Sequence, residues 1–392
     1  MRHILLRLKR FCGFITGFVF FIGGILKLMD PVGAGLVIGE YLDFMHLKFL
    51  GSAAKPLGVA FALAETVIGT ALITGVWRKA AGIAALAFQG FFTLLTLALV
   101  IFNPQMDCGC FGEAIHLTHM ETFLKNIVLC VLLCTYYFPP KMLGIPISKR
   151  KHVSFWIVTL SAIFFMIYSW RHIPLVDYTD YRTGAELKAA HGDEPYAEDM
   201  FEALFVYEKD GVEDTFTLDA LPDSTWTFVR TETTALESEE SSGLIDLSFY
   251  NTEGEYMDAS ATEGKVMVVS VYDPDINDRK WDEIGTFIRN AEETGFKALL
   301  LVSEIPGTDF GIPTYTCDFK TLMAMNRSNG GATYFSDGYL IRKWAGRDLP
   351  DLETLQSTYD EDETETVIYH NTKGSLGFQG FLLYVFAVML LL

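Results

Sequence analysis

Cysteine is scarce in this chain: Cys12, Cys108, Cys110, Cys130, Cys134 and Cys317 are the only six in 392 residues. So few, so widely scattered, exclude a scaffold built on disulfides. Basic residues are also few, 30 Lys and Arg against 49 Asp and Glu. Those present lie beside apolar segments, which excludes a nucleic-acid-binding surface. The first apolar run has a basic start but lacks a small-x-small cleavage site, so it reads as a retained anchor and not a removed signal peptide.

Uncharged apolar length is what the sequence has in excess. A membrane-spanning helix needs roughly 20 apolar residues, and runs of about that size cover 11–28, 57–76, 80–102, 120–138 and 153–170. A sixth run, 378–392, is shorter and can span if its lead-in "GSLGFQG" enters the interface. Charge divides along the same line. Residues 171–373 carry 42 acids against 16 bases, a net of −26, while the remainder carries 7 against 14, a net of +7. An acidic soluble domain is therefore expected to be joined to a basic membrane part.

Loop bases set the expected orientation. "RHILLRLKR", "WRK" and "KMLGIPISKRK" hold ten Lys and Arg between them and belong in the cytoplasm. The alternate side of the first four helices holds Lys27, Lys48, Lys55 and Lys125. The N-terminus is then cytoplasmic and residues 171–373 are extracytoplasmic, in a bacterium periplasmic, with the chain multi-pass in the inner membrane.

This places "NPQMDCGCFGEAIHLTHMETF", residues 103–123, at the outer connection between the third and fourth spans, where disulfides persist. A Cys-x-Cys disulfide closes a small strained ring and is easily reduced, which suits exchange. Gly109 relaxes the backbone between the sulfurs, and Phe111-Gly112 provides another turn. Two other readings stand beside it. The cysteines can be small residues in a turn, or Cys108, Cys110, His116 and His119 can form a copper(I) or zinc site from two soft and two borderline donors. Cys130 and Cys134 share one face of the fourth span and read as packing residues, as does Cys12.

Glu65 falls near the middle of the second span, where a carboxylate is costly and faces a bundle interior or polar cavity. Lys27, near the outer end of the first span, is its expected partner, and Gln89 can complete the cluster. Such a pair can fix helix register or face a proton or a membrane quinone.

"FIGGILKLMDP", the intramembrane Glu65, "GVWRKAAGIAAL" and "DCGCFGEAI…FLKNIVL" resemble the DoxX/MauE superfamily of small four-helix membrane proteins, and the CGCFG loop is most similar to its MauE branch. The resemblance covers about residues 8–140. It implies thiosulfate:quinone oxidoreduction, redox homeostasis or maturation of disulfide-rich periplasmic proteins, with Cys108 and Cys110 as a thiol pair and Lys27, Asp30 and Glu65 as polar positions. The His116/His119 pair is not part of that resemblance.

In the acidic region a short helix is expected around Glu186–Ala190. Hairpins are expected in "LFVYEKDGVEDTFTL" and around Glu253-Gly254, with a strand in "STWTFVRTE". "KVMVVSVYDP" and "FKALLLVSE" read as buried strands flanking an amphipathic helix with Trp281, Ile284, Phe287 and Ile288 on one face and Gly295 as its stop. A last hairpin turns on Asp337-Gly338. Acid clusters such as "ESEE" and "DEDETE" read as solvated loops. The β-α-β order with a final hairpin resembles the thioredoxin fold, but "DPDINDRKW" stands where that fold carries Cys-x-x-Cys and "NGGAT" where it carries a cis proline. The resemblance therefore implies the fold without its chemistry. Cys317 reads as buried packing, with a mixed disulfide to Cys108 or Cys110 as the alternative.

The expected fold class is membrane all-α: a DoxX-like four-helix bundle (1–140), a cytoplasmic loop and fifth transmembrane helix (141–170), lead-in and hairpins (171–258), an α/β thioredoxin-like extracytoplasmic core (259–350), and an acidic linker with a C-terminal transmembrane helix (351–392). The expected function is thiol-disulfide exchange or electron transfer, as a thiol-disulfide or quinone-linked oxidoreductase component. Cys108, Cys110, Glu65 and Lys27 would be its catalytic residues, a membrane quinone its cofactor, and membrane lipid and an extracytoplasmic protein its partners. The competing expectation is a structural or assembly subunit of an envelope complex.

Overall fold

The computed structural model describes residues 2–104, 106, 108–143, 148–188, 201–209, 212–216, 226–235, 244–257, 259–305 and 312–391. Its membrane part comprises α1 (Arg2–Met29), α2 (Pro31–Phe44), α3 (Ala54–Thr74), α4 (Arg78–Phe102), the short strand β1 (Cys110–Glu113), α5 (His119–Tyr137) and α6 (Lys149–Arg171). Phe21, Ile25, Val59 and Ala62 form one buried seam, which Val158 and Ala162 of α6 join. Cys12, Leu72, Ala85, Leu129 and Leu133 form another. Large apolar side chains such as Leu94, Ile101, Val131, Leu160 and Phe164 stay exposed on the outside of the bundle, the face a helix presents to lipid tails. Cys134 is exposed on that face rather than packed inside, whereas Cys12 is buried.

The helix α2 lies between the first two long apolar runs. Asp30 caps it by accepting from the Gly33 N–H at 2.9 Å, and Pro31 occupies the first turn, the position where a missing N–H costs nothing. At 14 residues and about 1.5 Å per residue it is too short to cross a bilayer. It packs on α3 instead and buries Val32, Ala34, Tyr41 and Leu42. The basic start of the chain also has a structural use: Lys9 is buried and its Nζ donates to the carbonyls of Tyr136 and Phe138, at 3.0 and 2.6 Å. A cation there satisfies orphan carbonyls at the C-terminus of α5.

The extramembrane domain follows. It contains β2 (Glu186–Leu187), β3 (Phe201–Lys209), β4 (Val212–Phe216), β5 (Thr227–Ala235), β6 (Leu244–Ile245), β7 (Phe249–Tyr250), α7 (Ala259–Thr262), β8 (Lys265–Val271), α8 (Asp278–Thr294), β9 (Lys297–Val302), β10 (Thr314–Cys317), α9 (Phe319–Met325), β11 (Gly331–Ser336), β12 (Tyr339–Trp344) and α10 (Leu352–Asp360). One mixed sheet has the order β6-β2-β12-β11-β8-β9-β10-β7, and a separate one the order β4-β3-β5. β8, β9 and β10 run parallel, and β11 and β12 are added antiparallel. Strand β8 explains the layering. Val266 and Val268 belong to the core under α9, while Met267, Val269 and Val271 belong to the core under α8. Both faces of the strand are buried, so it reads as a continuous apolar run. In α8, Asn277 caps the start, Gly295 ends it in the left-handed region, and Trp281, Ile284, Phe287 and Ile288 are buried. The β11–β12 hairpin turns on Asp337 and Gly338 at φ of 45° and 82°, as a two-residue turn requires.

Three expectations need correction. Residues 186–187 form a strand and not a helix, because β2 pairs with both β6 and β12; positions 189–190 lie outside the described residues, as does "ESEE". The hairpin expected around Glu253-Gly254 is present in short form: Tyr250 bridges Tyr256, the Met257 N–H donates to the Phe249 carbonyl at 2.9 Å and the Asn251 N–H to the Glu255 carbonyl at 3.0 Å. "DEDETE" is a loop only at Glu361 and Asp362, and the acidic linker is largely helical: Asp360 ends α10 and the chain then enters α11 (Glu363–Leu391). Asp362 accepts from the Glu365 N–H at 2.8 Å, and Glu363 and Glu365 lie in the first turn, where acids suit the helix dipole. The last span is therefore a 29-residue helix of about 43 Å, amply long to cross. Gly374 in its middle lets the helix pass the chain backbone: a Cβ there would sit 2.0 Å from the Leu175 carbonyl oxygen.

Among the described residues six helices are long and apolar enough to cross a membrane: α1, α4, α5, α6, α11, and α3 with the turn before it. The chain is a multi-pass membrane protein.

Candidate functional site

The connection between α4 and α5 is shaped by its ends. Asn103, at φ 42°, closes α4 in the left-handed region. Thr118 and Glu121 form a reciprocal capping box that opens α5. Between them Gly109 adopts φ +56°, and a Cβ there would lie 2.3 Å from Val37 Cγ1 on α2. Only glycine fits this position, on both counts. A turn follows, with the Gly112 N–H donating to the Gly109 carbonyl at 3.3 Å. The result presses the CGC loop onto α1 and α2, and Tyr41 donates its hydroxyl proton to the Cys108 carbonyl.

The two loop cysteines are not equivalent. Cys108 is buried and its Sγ lies 2.9 Å from His119 Nδ1, whose ring partner Nε2 lies 2.9 Å from the Pro104 carbonyl oxygen. Cys110 is half-buried. Both line a narrow cleft between α1, α2, α3, α4 and α5. Lys27 and Glu65 also line it and pair at 2.6 Å, with side chains 19 % and 13 % exposed. Phe20, Phe61, Phe88, Phe92 and Phe111 supply aromatic walls. Gln89 lines the same cleft and donates to the Asn126 carbonyl at 3.4 Å. Lys125 lies over the Phe111 ring, 4.7 Å from its centroid. Thus Cys108, Cys110, Lys27 and Glu65, singled out separately in the sequence, share one cavity.

The four candidate metal donors are not gathered. His119 meets Cys108, but His116 lies with His119 along a separate open groove beside Val100 and Met106. Among the described residues no group of three or more His, Cys, Asp or Glu side chains is placed to hold a metal ion.

Sequence reasoning missed the junction with the extramembrane domain. Arg327, just beyond α9, is buried, with Nε 3.0 Å from Asp30 Oδ2 and Nη2 2.9 Å from Glu113 Oε1. Burial works against this charge, but Asp30 and then Glu113 outweigh it and hold the guanidinium firmly protonated. Asp30 is the cap of α2 and Glu113 ends β1, the strand that begins at Cys110. The domain therefore clamps the loop that carries the sulfurs, and sits at the same end of the bundle. Lys320 with Glu40, at 2.7 Å, adds a second bridge.

Cys317 is buried in the domain core, and burial, followed by the nearby Asp318 charge, pushes its thiol up to about 12. A thiol that stays protonated is a poor nucleophile. Native protein treated with iodoacetamide at pH 8 is expected to leave Cys317 unmodified until the domain is unfolded; rapid native alkylation of Cys317 on peptide mapping would contradict this.

Residues 3–139 match the family model described as methylamine utilisation protein MauE. The first five helices of the membrane part are MauE-like. The match covers roughly a third of the chain, contains both loop cysteines, Lys27 and Glu65, and ends before α6. Residues 201–238, which include β3, β4 and β5, match a domain of unknown function, DUF8463. No curated protein and no solved structure matches the chain. The MauE-like segment therefore ends where α6 and the clamping domain begin.

Proposed function

We propose that this MauE-like protein is a redox component of a bacterial inner membrane. Cys108 and Cys110 exchange disulfides with a periplasmic protein, and the electron pair passes to a membrane quinone held in the cleft. The observation that carries this reading is the shared cavity: two sulfurs, an intramembrane Lys27–Glu65 pair and aromatic walls line one narrow space. Such a slot suits a flat, weakly polar ring with polar groups at its edges. Oxidation of the two thiols to a disulfide releases two electrons and two protons, and reduction of a quinone to a quinol takes up both. Glu65 and Lys27 are placed to relay those protons. The cytoplasmic N-terminus and periplasmic placement of residues 171–373 follow from the basic loops and put the sulfurs where partner disulfides occur.

The extramembrane domain supports docking rather than chemistry. Its β8-α8-β9 unit, followed by the antiparallel β11–β12 hairpin, resembles the order of a thioredoxin-like core. Asp273 to Lys280, covering the β8–α8 connection and the first turn of α8, contains no cysteine. A MauE-like module implies maturation of disulfide-bearing envelope proteins, methylamine utilisation among the pathways its name carries. The partner would be presented to the loop by this domain.

The test uses the reduced full-length protein in detergent with a short-chain benzoquinone. One quinone reduced per chain, with loss of two alkylatable thiols at Cys108 and Cys110, is the expected result, and the Cys108→Ser, Cys110→Ser double variant should reduce none. Quinone left oxidised while both thiols stay titratable would remove the electron-transfer reading and favour an assembly subunit.

A further inference from the structure

His119 touches the buried sulfur in a way the quinone reading does not use. A carbonyl oxygen can only accept, so the 2.9 Å approach of His119 Nε2 to Pro104 O assigns the ring hydrogen to Nε2. In the neutral ring Nδ1 is then a lone pair, and it faces Cys108 Sγ at 2.9 Å. The Thr118–Glu121 capping box fixes His119 as the first residue of α5, and the Tyr41 hydroxyl holds the Cys108 backbone. Sulfur, imidazole and orienting carbonyl thus stand in the order of nucleophile, base and positioner. Cys110, half-buried where Cys108 is buried, is the more accessible to an outside thiol.

We infer that the loop cysteines have unequal roles: Cys110 carries the mixed disulfide with the partner, and Cys108, with His119 as its base, resolves it. This rests on the disulfide-exchange half of the proposed function and not on the quinone. In the resolving step the Cys108 S–H gives its proton to His119 Nδ1, and the thiolate attacks Cys110 Sγ. The Cys108–Cys110 bond forms as the Cys110–partner bond breaks. The partner sulfur leaves with the electron pair and takes the proton from His119, so two loop sulfurs are oxidised and one partner disulfide is reduced. That step reduces a partner; in the reverse direction, which loads the loop with electrons for a quinone, a partner thiolate attacks Cys110 of the loop disulfide and protonated His119 stabilises Cys108 as the leaving thiolate.

The test is the stepwise reaction of the reduced full-length protein, carrying Cys130→Ala and Cys134→Ala, with dithiobis(nitrobenzoate). Attack by Cys110 releases one thionitrobenzoate, and resolution by Cys108 releases the second. Early quenching should map the adduct to Cys110, and Cys108→Ser should release one equivalent and keep the other bound to Cys110. Removing a positioned base commonly costs about 10²-fold or more, so His119→Ala should slow the second phase at least ten-fold at neutral pH and leave the first nearly unchanged. That phase should recover as pH rises, because hydroxide replaces the imidazole. His119→Gln, which can still donate to Pro104, should be as slow as His119→Ala. A second phase untouched by His119→Ala, full recovery in His119→Gln, an adduct on Cys108, or stoichiometric zinc or copper in the purified protein would each overturn the assignment. Failure of quinone reduction alone leaves it standing, while failure of wild type to release any second equivalent would sink the exchange function with it.

Discussion

Replacing Arg327 by methionine is expected to destabilise the junction between domain and bundle by about 3–5 kcal/mol, the usual cost of stripping one partner from a buried ionic group. The effect is large because two carboxylates lose their cation together. Asp30, 13 % exposed, and Glu113, 29 % exposed, would be left facing each other's surroundings without Arg327. Asp30 also caps α2, whose Val37 and Tyr41 bear on the CGC loop, so the damage should reach the sulfurs. The expected readings are a lower unfolding midpoint in detergent, faster proteolysis between α6 and β8, and faster alkylation of Cys108. Adding Asp30→Asn and Glu113→Gln to Arg327→Met should recover much of the midpoint, since no unpaired charge then remains. An unchanged midpoint in Arg327→Met would show that the junction is held by something other than this ion cluster.

A comparable loss, about 3–5 kcal/mol, is expected from Lys27→Met alone, which leaves Glu65 ionised or forces it to take up a proton inside the bundle. The double variant Lys27→Met, Glu65→Gln should fold nearly as well as wild type, because a neutral amide beside methionine carries no desolvation debt. Quinone reduction separates structure from chemistry. If the pair relays protons, the double variant stays folded yet reduces quinone at least ten-fold more slowly. Recovery of both stability and rate would assign the pair to helix register only. The double-mutant cycle is informative because the two side chains touch at 2.6 Å and couple directly.

The spanning helices were legible because bilayer thickness imposes a length that few other structures need, and α8 was legible because its apolar residues recur at helical spacing. The proximity of Lys27 and Glu65 was legible for a related reason: a charge inside a bundle seeks its opposite. Helix α2 was not, since its Gly-rich sequence shows no clear apolar stripe; the Asp30-Pro31 pair was the available signal, a cap followed by proline at the first helical position. Residues 186–187 misled because a two-residue strand is set by its neighbours in the sheet and not by local propensity. Arg327 left no local trace. It follows a short helix in the extramembrane domain and finds partners at positions 30 and 113, a match that only the assembled chain defines. His119 was noticed for its nitrogen donors, but its orientation by Pro104 depends on how the loop folds back.

Helix α6 leads into the extramembrane domain and α11 leads out of it, and the two are stitched together at their far ends, where Lys151 and Ser154 donate to the Met389 and Val388 carbonyls at 3.0 and 2.8 Å. A head on one flexible stalk sweeps a wide volume; one leashed at both shoulders does not. Arg327 is thereby kept at a high effective concentration over its two carboxylates. On the disulfide-exchange proposal, a partner would have to reach the sulfurs past this double leash, so its size and shape would become part of what the protein selects.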